Sequence, residues 1–490
     1  MTTSFVSVPV EQTRATWRTR LAGLVDENGT LILLLCGGAC VFLARLPTGV
    51  AQDGWMALVS GREIARHGLP WHDTLTVWSH GRGWTDQQWL AQLALYGIER
   101  IAGIRLLMLL NTALNMGTFV AAAVLARRRA SALAVTWIGV LALAAYFPAA
   151  IVMRPQSLAY PLFLAVLALL LADARRPSKR VYLCLPSLVL WANLHGSVTV
   201  GAAVVSAYGL WRLGARQEGH SRAFGSFFLL FGPWLTVLAS PYALSLPSYY
   251  EHFAINGHLG RYVAEWAPTT LTLSNAPAYL LVLVGAWLCG RGRASKLEIV
   301  VFAGIALLSF TAVRNVVWLA LAALVLLPSL LDASRSQMPA PPPRRLNTAL
   351  AAVAVAAVTL AVVVAATQRD SWLLRNYPTA EADAAATAAG KTGRVFANEA
   401  YADWLIWIQP RLAGRVAFDS RFELLTDREM ASAVNFHAAV GDWRATAAGY
   451  PVLVLSTSHD APVDELLHAP RVQVAARGGG ITVLRRADRR

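Results

Sequence analysis

Charge is scarce in this chain. Asp, Glu, Lys and Arg make up 14% of its 490 residues, while 56% are hydrophobic. A soluble domain carries about 25% charged residues, so the composition excludes an ordinary soluble fold and fits a polytopic membrane protein. Cysteine is scarce as well. Cys36, Cys40, Cys184 and Cys289 all fall in or beside apolar runs, without C-x-x-C spacing, which argues against a disulfide framework and against zinc. There is no G-x-G-x-x-G and no P-loop, so nothing indicates a nucleotide. No internal repeat at a solenoid period occurs. The formal charge is +15, but the basic residues sit in short clusters between apolar runs. Membrane topology requires that pattern, whereas nucleic acid calls for one patch or stripe.

What the chain has is apolar runs. A helix crosses the hydrocarbon layer with about 20 apolar residues, and eleven candidate spans lie near 29–47, 104–126, 131–150, 157–173, 181–195, 198–213, 224–240, 277–290, 297–312, 316–331 and 347–367. Arg14, Arg18 and Arg20 precede the first run, and no A-x-A-like cleavage site follows. The first run therefore reads as an uncleaved helix and not as a signal peptide. With residues 1–28 cytoplasmic, every inside loop is basic: Arg127-Arg128-Arg129, 175–180, 212–222, 291–296 and 335–345. The outside loops are poorer in Lys and Arg. This topology places the C-terminus outside a bacterial inner membrane. The segment 332–346, with Pro339, Pro341, Pro342 and Pro343, reads as a semi-rigid cytoplasmic spacer between a core at 29–331 and the last helix.

Beyond 367 the composition becomes charged and rich in turns. Strands are expected at Arg394-Val395-Phe396-Ala397, at Arg415-Val416-Ala417-Phe418 and at 451–456. Helices are expected at Glu399–Ile408 and 427–439, and a closing hairpin at 471–476 and 481–485. Alternating β and α predicts a small extracytoplasmic α/β domain at 368–490.

The longest polar interruption in the first half is the external loop 48–90. It concentrates Asp53, Glu63, Asp73 and Asp86 among Trp55, Trp71, Trp78, Trp84 and Trp89. Asp53 stands at the start of an amphipathic stretch that predicts an interfacial helix. There it fits either a helix cap or a catalytic carboxylate. Trp84, Asp86, Gln87 and Gln88 form a dense hydrogen-bonding and aromatic run. That run suits an array of sugar hydroxyls, with an interfacial aromatic belt as the competing reading. Arg154 and Arg314 sit at outer helix ends and Arg261 in the 241–276 loop, where each either meets an anion or snorkels to headgroups. His195 ends a helix beside Asn193, as a structural hydrogen-bond partner or a substrate contact. The 241–276 loop is amphipathic and reads as a site cover or an interfacial helix. Asp403, Asp419 and Arg421 either shape the C-terminal domain or bind an acceptor.

The stretch Asp53-Gly54-Trp55 with Gly61, Gly68, Leu69, Pro70 and Asp73 resembles the first external loop of the GT-C superfamily of multi-pass glycosyltransferases. This is the fold of protein mannosyltransferases and lipid A aminoarabinose transferases. Arg154-Pro155-Gln156, Trp191-Ala192-Asn193-Leu194-His195-Gly196, Ser240-Pro241-Tyr242, Arg314-Asn315, Tyr401-Ala402-Asp403-Trp404-Leu405-Ile406-Trp407 and Phe418-Asp419-Ser420-Arg421 are similar to an uncharacterised bacterial branch of it. The resemblance implies a loop with two interfacial helices and an acidic residue just past the first span. It also implies transfer of a sugar from a polyprenyl-phosphate donor to a glycan, lipid or protein acceptor outside the membrane. Asp53 would be the base, Asp73 or Asp86 would orient the sugar, and Arg154 and Arg314 would hold the lipid phosphate. Many relatives carry an acidic pair where this chain has Asp53-Gly54, so no cofactor is certain and a divalent cation stays open. A transporter or flippase, or a non-catalytic assembly partner, are the rival classes. Few ionisable residues fall at mid-membrane depth, where coupling sites would lie.

Overall fold

The computed structural model describes residues 17–214, 220–255, 259–335 and 342–486. Arg14 and residues 336–341 of the Pro-rich spacer lie outside the described residues. Each of the eleven expected spans overlaps a helix, the first on Trp17–Ala44 and the last on Arg344–Thr367. Among the described residues, six helices are long and apolar enough to cross a membrane, and the others are shorter. The architecture is a polytopic helical membrane fold carrying a small C-terminal sheet domain.

A helix apolar on every side belongs in the interior. Val316–Ser334 is that helix here, with Trp318 fully buried at its start. Trp318 packs against Phe163, Tyr160 and Trp191 with ring centroids 5.2, 5.4 and 5.5 Å apart. The last helix is not held off by its spacer. It packs along the first, and its exposed Val353, Val355, Leu360 and Val362 face outward.

The polar loop is built in three parts. Helix Gln52–His67 comes first, then a non-helical arm at 68–88, then helix Trp89–Arg127. That last helix breaks at Gly103, whose φ of 75° only glycine adopts freely. Residues 89–102 form a separate segment packed on Gln52–His67. Gly61 permits the close approach, because a Cβ there would collide with the Gln92 carbonyl. The loop unit therefore runs past residue 90, and only one of its two implied helices lies inside 48–90. The second is the segment 89–102, which its apolar continuation concealed.

The C-terminal sheet has strands β1 (Val395–Ala397), β2 (Val452–Ser456), β3 (Val472–Gly478) and β4 (Ile481–Arg486), in the order β1-β2-β4-β3. β1 and β2 are parallel, and the remaining pairs are antiparallel. The expected strand at 415–418 does not form as such. It makes isolated bridges, Val416 to Val395 on one side and to Thr76 of the arm on the other. It is a three-residue splice through which the arm joins the sheet edge: Val77 N–H donates to Val416 O and Trp78 N–H to Ala417 O, both at 2.9 Å.

Docking is fixed by two buried arginines. Arg62 of the loop helix donates to the carbonyls of Ile406 (2.8 Å) and Trp407 (2.9 Å) at the end of helix Glu399–Ile408. Arg421 donates to Asp419 at 2.6 Å and to Asp73 of the arm at 2.7 Å, with the Trp84 ring 4.5 Å from its guanidinium carbon. Asp73, Asp419 and Arg421 are at most 3% exposed. Removing one partner of a buried ion pair strands the other charge and costs about 3–5 kcal/mol. Arg421→Gln is therefore expected to lower stability by about that much. It should expose the C-terminal domain to limited proteolysis before the helical core unfolds, and Asp73→Asn should do the same more mildly. Unchanged proteolysis of both variants would remove Arg421 as the docking element.

Candidate active site

One cavity of about 730 Å³ lies between the loop unit, the helix ends and the C-terminal domain. Asp53, Gln87, Gln88, Arg154, His195 and Arg314 line it together, although they come from five separate stretches of chain. The backbone explains the convergence. Met153 N–H donates to Gly49 O at 2.8 Å, which sets the turn carrying Arg154 against the start of the loop. Arg314 N–H donates to Glu265 O and Val313 N–H to Ala267 O, both at 3.1 Å, clipping the Glu265 segment onto the Arg314 turn.

Asp53 is in the first turn of Gln52–His67, but the cap position is Ala51 and no side chain caps this end. Capping does not explain Asp53. Its Oδ2 faces Arg154 Nε at 3.6 Å. Arg154 is 6% exposed and forms a two-pronged pair with Glu265, both bonds 2.8 Å. Its Nε has no hydrogen-bond partner. Burial pushes the Asp53 carboxyl up, Arg154 pulls it down, Glu265 pushes it up again, and the result is a raised pKa. A raised pKa makes the carboxylate a stronger base than an ordinary exposed one.

His195 is fixed in one tautomer. Ser197 N–H donates to Nδ1 at 3.0 Å, and Ser197 Oγ lies 2.8 Å from the same nitrogen. Nδ1 therefore accepts and the neutral ring holds its hydrogen on Nε2; Arg314, itself only a donor, lies 3.5 Å from that nitrogen and makes no hydrogen bond to it in this tautomer. The ring is an uncharged donor. Arg314 stacks over Trp266 with its guanidinium carbon 4.2 Å from the ring centre. Arg154, Arg314 and His195 bring two guanidinium groups and an imidazole to one end of the cavity. Tyr249, Tyr250 and Tyr262 of the 241–276 loop also line the cavity, whereas 256–258 lie outside the described residues.

Four expected residues lie elsewhere. Asp73 is fully buried and is used up by Arg421, Thr76, Ser79 and the Leu75 N–H. Trp84 is buried beneath Arg421. Asp86 is 2% exposed, accepts from Gln92 at 2.9 Å, and is not on the cavity wall. Arg261 is exposed, one residue away from the lining Tyr262. For Asp73, Trp84 and Asp86 the arm turned its groups inward, to bind the C-terminal domain or itself. Conversely, Glu265 and the C-terminal Glu399, Ser420, Phe422 and Glu423 belong to the cavity wall and were not singled out as site residues. A two-residue gap from Asp419-Ser420-Arg421 was the available signal for Glu423.

Burial pushes the Asp86 carboxyl up to about 7. Because the folded pKa is raised, the folded state keeps a proton that the unfolded chain loses near pH 4. Wild-type stability therefore declines, relative to Asp86→Asn, as pH rises from about 4 to about 7, and the gap is constant above that range. Denaturation in detergent across this range should show the variant gaining on the order of a few kcal/mol. A pH-independent gap would contradict the assignment.

By sequence, no family model matches the chain and no curated protein matches it. Solved structures do match. ArnT from Cupriavidus metallidurans bound to undecaprenyl phosphate superposes with TM-score 0.52 at 14% identity, covering 93% of this chain and 98% of that one. The archaeal oligosaccharyltransferase AglB from Archaeoglobus fulgidus, in complex with an inhibitory peptide and a dolichol-phosphate, gives TM-score 0.53 at 10% identity, with 90% and 70% covered. At 14% and 10% identity the likeness is one of fold, and this chain shares the fold of both.

Proposed function

We propose that this protein is a membrane glycosyltransferase. It moves a sugar from a polyprenyl-phosphate-linked donor to a hydroxyl acceptor on the extracytoplasmic face, the side on which the basic-loop pattern puts the cavity. The observation that carries the reading is the sharing of one cavity by Asp53 and the anion-binding set Arg154, Arg314 and His195. The fold adds support, since solved proteins of this fold bind undecaprenyl phosphate or dolichol-phosphate.

The chemistry follows from the charges. The acceptor oxygen forms a bond to the anomeric carbon while the bond from that carbon to the lipid-phosphate oxygen breaks. The bonding pair leaves with the phosphate, whose growing charge meets Arg154, Arg314 and the Nε2–H of His195. The acceptor's proton passes to the Asp53 carboxylate. A single displacement of this kind inverts the anomeric centre. Glu265 positions Arg154 by its two-pronged pair and so keeps the guanidinium within reach of Asp53.

The residues present do not fit a divalent cation. Among the described residues no group of three or more His, Cys, Asp or Glu is arranged so that it could hold a metal ion, and Arg154 fills the gap between Asp53 and Glu265. Guanidinium charge takes the place of a metal in this reading, and transfer should persist in chelator-treated membranes. Asp53→Asn should lower turnover by about 10²–10⁴-fold, the usual worth of a positioned base. It should leave polyprenyl-phosphate binding intact, as measured by transfer from radiolabelled lipid-linked sugars in inverted and right-side-out vesicles. Full activity of the folded Asn variant would remove Asp53 as base. Loss of activity on chelation, restored by one cation, would overturn the metal-free reading.

A further inference from the structure

The C-terminal domain puts groups into the cavity that the proposed displacement does not use. Ser420, Phe422 and Glu423 flank the buried Arg421 and form one wall, and Glu399 joins them from the first turn of its helix. Glu399 has an internal partner. His437 Nε2 lies 3.3 Å from it, and that ring is anchored at 2.6 Å on buried Asp460. Glu423 has none: apart from its own backbone N–H, its carboxylate has no hydrogen-bond or ion-pair partner among the described residues. Its nearest cation, Arg421, is already held by Asp419 and Asp73.

A second unsatisfied acceptor stands nearby. Gln87 is 8% exposed; its Nε2 donates to Tyr249 Oη at 3.1 Å, and its buried Oε1 has no partner. Tyr249 lies within range of the Glu423 charge and so links the two. Asp53 is felt by Glu423 on this side and by Arg154 on the other. Asp53 therefore shares the cavity with two guanidinium groups and with two acceptors that lack donors, the Glu423 carboxylate and Gln87 Oε1. Gln87 Oε1 is a buried acceptor left without a donor, which is costly, and Glu423 is half-buried on the same cavity wall. Hydroxyl and amine groups supply such donors. An ionised phosphate or carboxylate offers acceptors only, and it would also face two carboxylates.

We propose that Glu423 and Gln87 form the acceptor subsite, and that the acceptor presents free hydroxyls there and carries no phosphate or carboxylate beside the reacting one. This deepens the transferase reading and rests on it. Glu423 accepts a hydrogen bond from a neighbouring hydroxyl and turns the reacting one towards Asp53. It selects by charge: a phosphorylated acceptor is repelled, and a neutral polyol is held.

The test uses the full chain in nanodiscs containing a polyprenyl phosphate, which occupies the arginine end. Two soluble probes are compared, an alkyl hexoside and its 6-phosphate, in which an anionic group replaces one hydroxyl donor. Their binding is measured by calorimetry at a pH above the range in which Glu423 titrates. Wild type should bind the neutral hexoside about tenfold more tightly than the phosphate, and E423Q should lose about tenfold for the neutral probe, the worth of one charged hydrogen bond. The gap between probes should narrow in E423Q, while polyprenyl-phosphate affinity stays within about twofold. Q87L, read in the same assay, should weaken the neutral probe without narrowing the gap, which separates hydrogen bonding from charge selection and covers a failure of E423Q to fold. Equal or tighter binding of the phosphorylated probe by wild type overturns the proposal, as do unchanged affinities in both variants. Failure of the transferase reading shows itself separately, as no polyprenyl-phosphate binding and no sugar transfer while the probe preference persists.

Discussion

Everything at the site depends on where one guanidinium is buried. Arg421 sits between Asp419 of its own domain and Asp73 of the arm, under the Trp84 ring. A charge out of water is tolerated only with partners in good geometry, so the three groups must meet for the chain to fold in this way. Their meeting brings the arm onto the sheet edge and turns Phe422 and Glu423 into the cavity wall. The same contact that docks the C-terminal domain therefore closes the site. A domain that sequence places hundreds of residues from Asp53 ends up supplying its far wall.

The second constraint is the sharing of Arg154. Its guanidinium satisfies Glu265 with two bonds and faces Asp53 with the remaining nitrogen. Asp53 is held near a cation without being consumed by it. At 3.6 Å Arg154 offsets part of the burial that raises the Asp53 pKa. His195 adds a donor without adding charge, since Ser197 fixes its tautomer.

Much of the fold was legible because it rests on periodicity and length. Apolar runs marked the helices, and β-type runs marked β1, β2 and the β3–β4 hairpin. Part of the site was legible too. Asp53, Arg154, His195 and Arg314 stand at the ends of apolar runs, where a polar group has few destinations. The arm misled for a physical reason. Asp73, Trp84 and Asp86 have the composition of a sugar site, but composition does not say whether a polar group faces a ligand or a buried partner. Only the distant Arg421 decides that for Asp73 and Trp84. Glu265 and Glu423 were not legible as site residues, because nothing local distinguishes an acid that joins a cavity from one that meets solvent. The strand expected at 415–418 has the right residues, but its partners are the arm on one side and β1 on the other, a pairing set by tertiary docking.

The central claim is that the lipid phosphate of a sugar donor binds between Arg154 and Arg314, within reach of Asp53. A structure of the protein in nanodiscs with a polyprenyl phosphate tests it most directly. The account predicts phosphate density within hydrogen-bond distance of both guanidinium groups and of His195 Nε2, with the lipid tail leaving between helices. Phosphate density away from these groups, with Arg154 and Arg314 still paired only to protein, would contradict it.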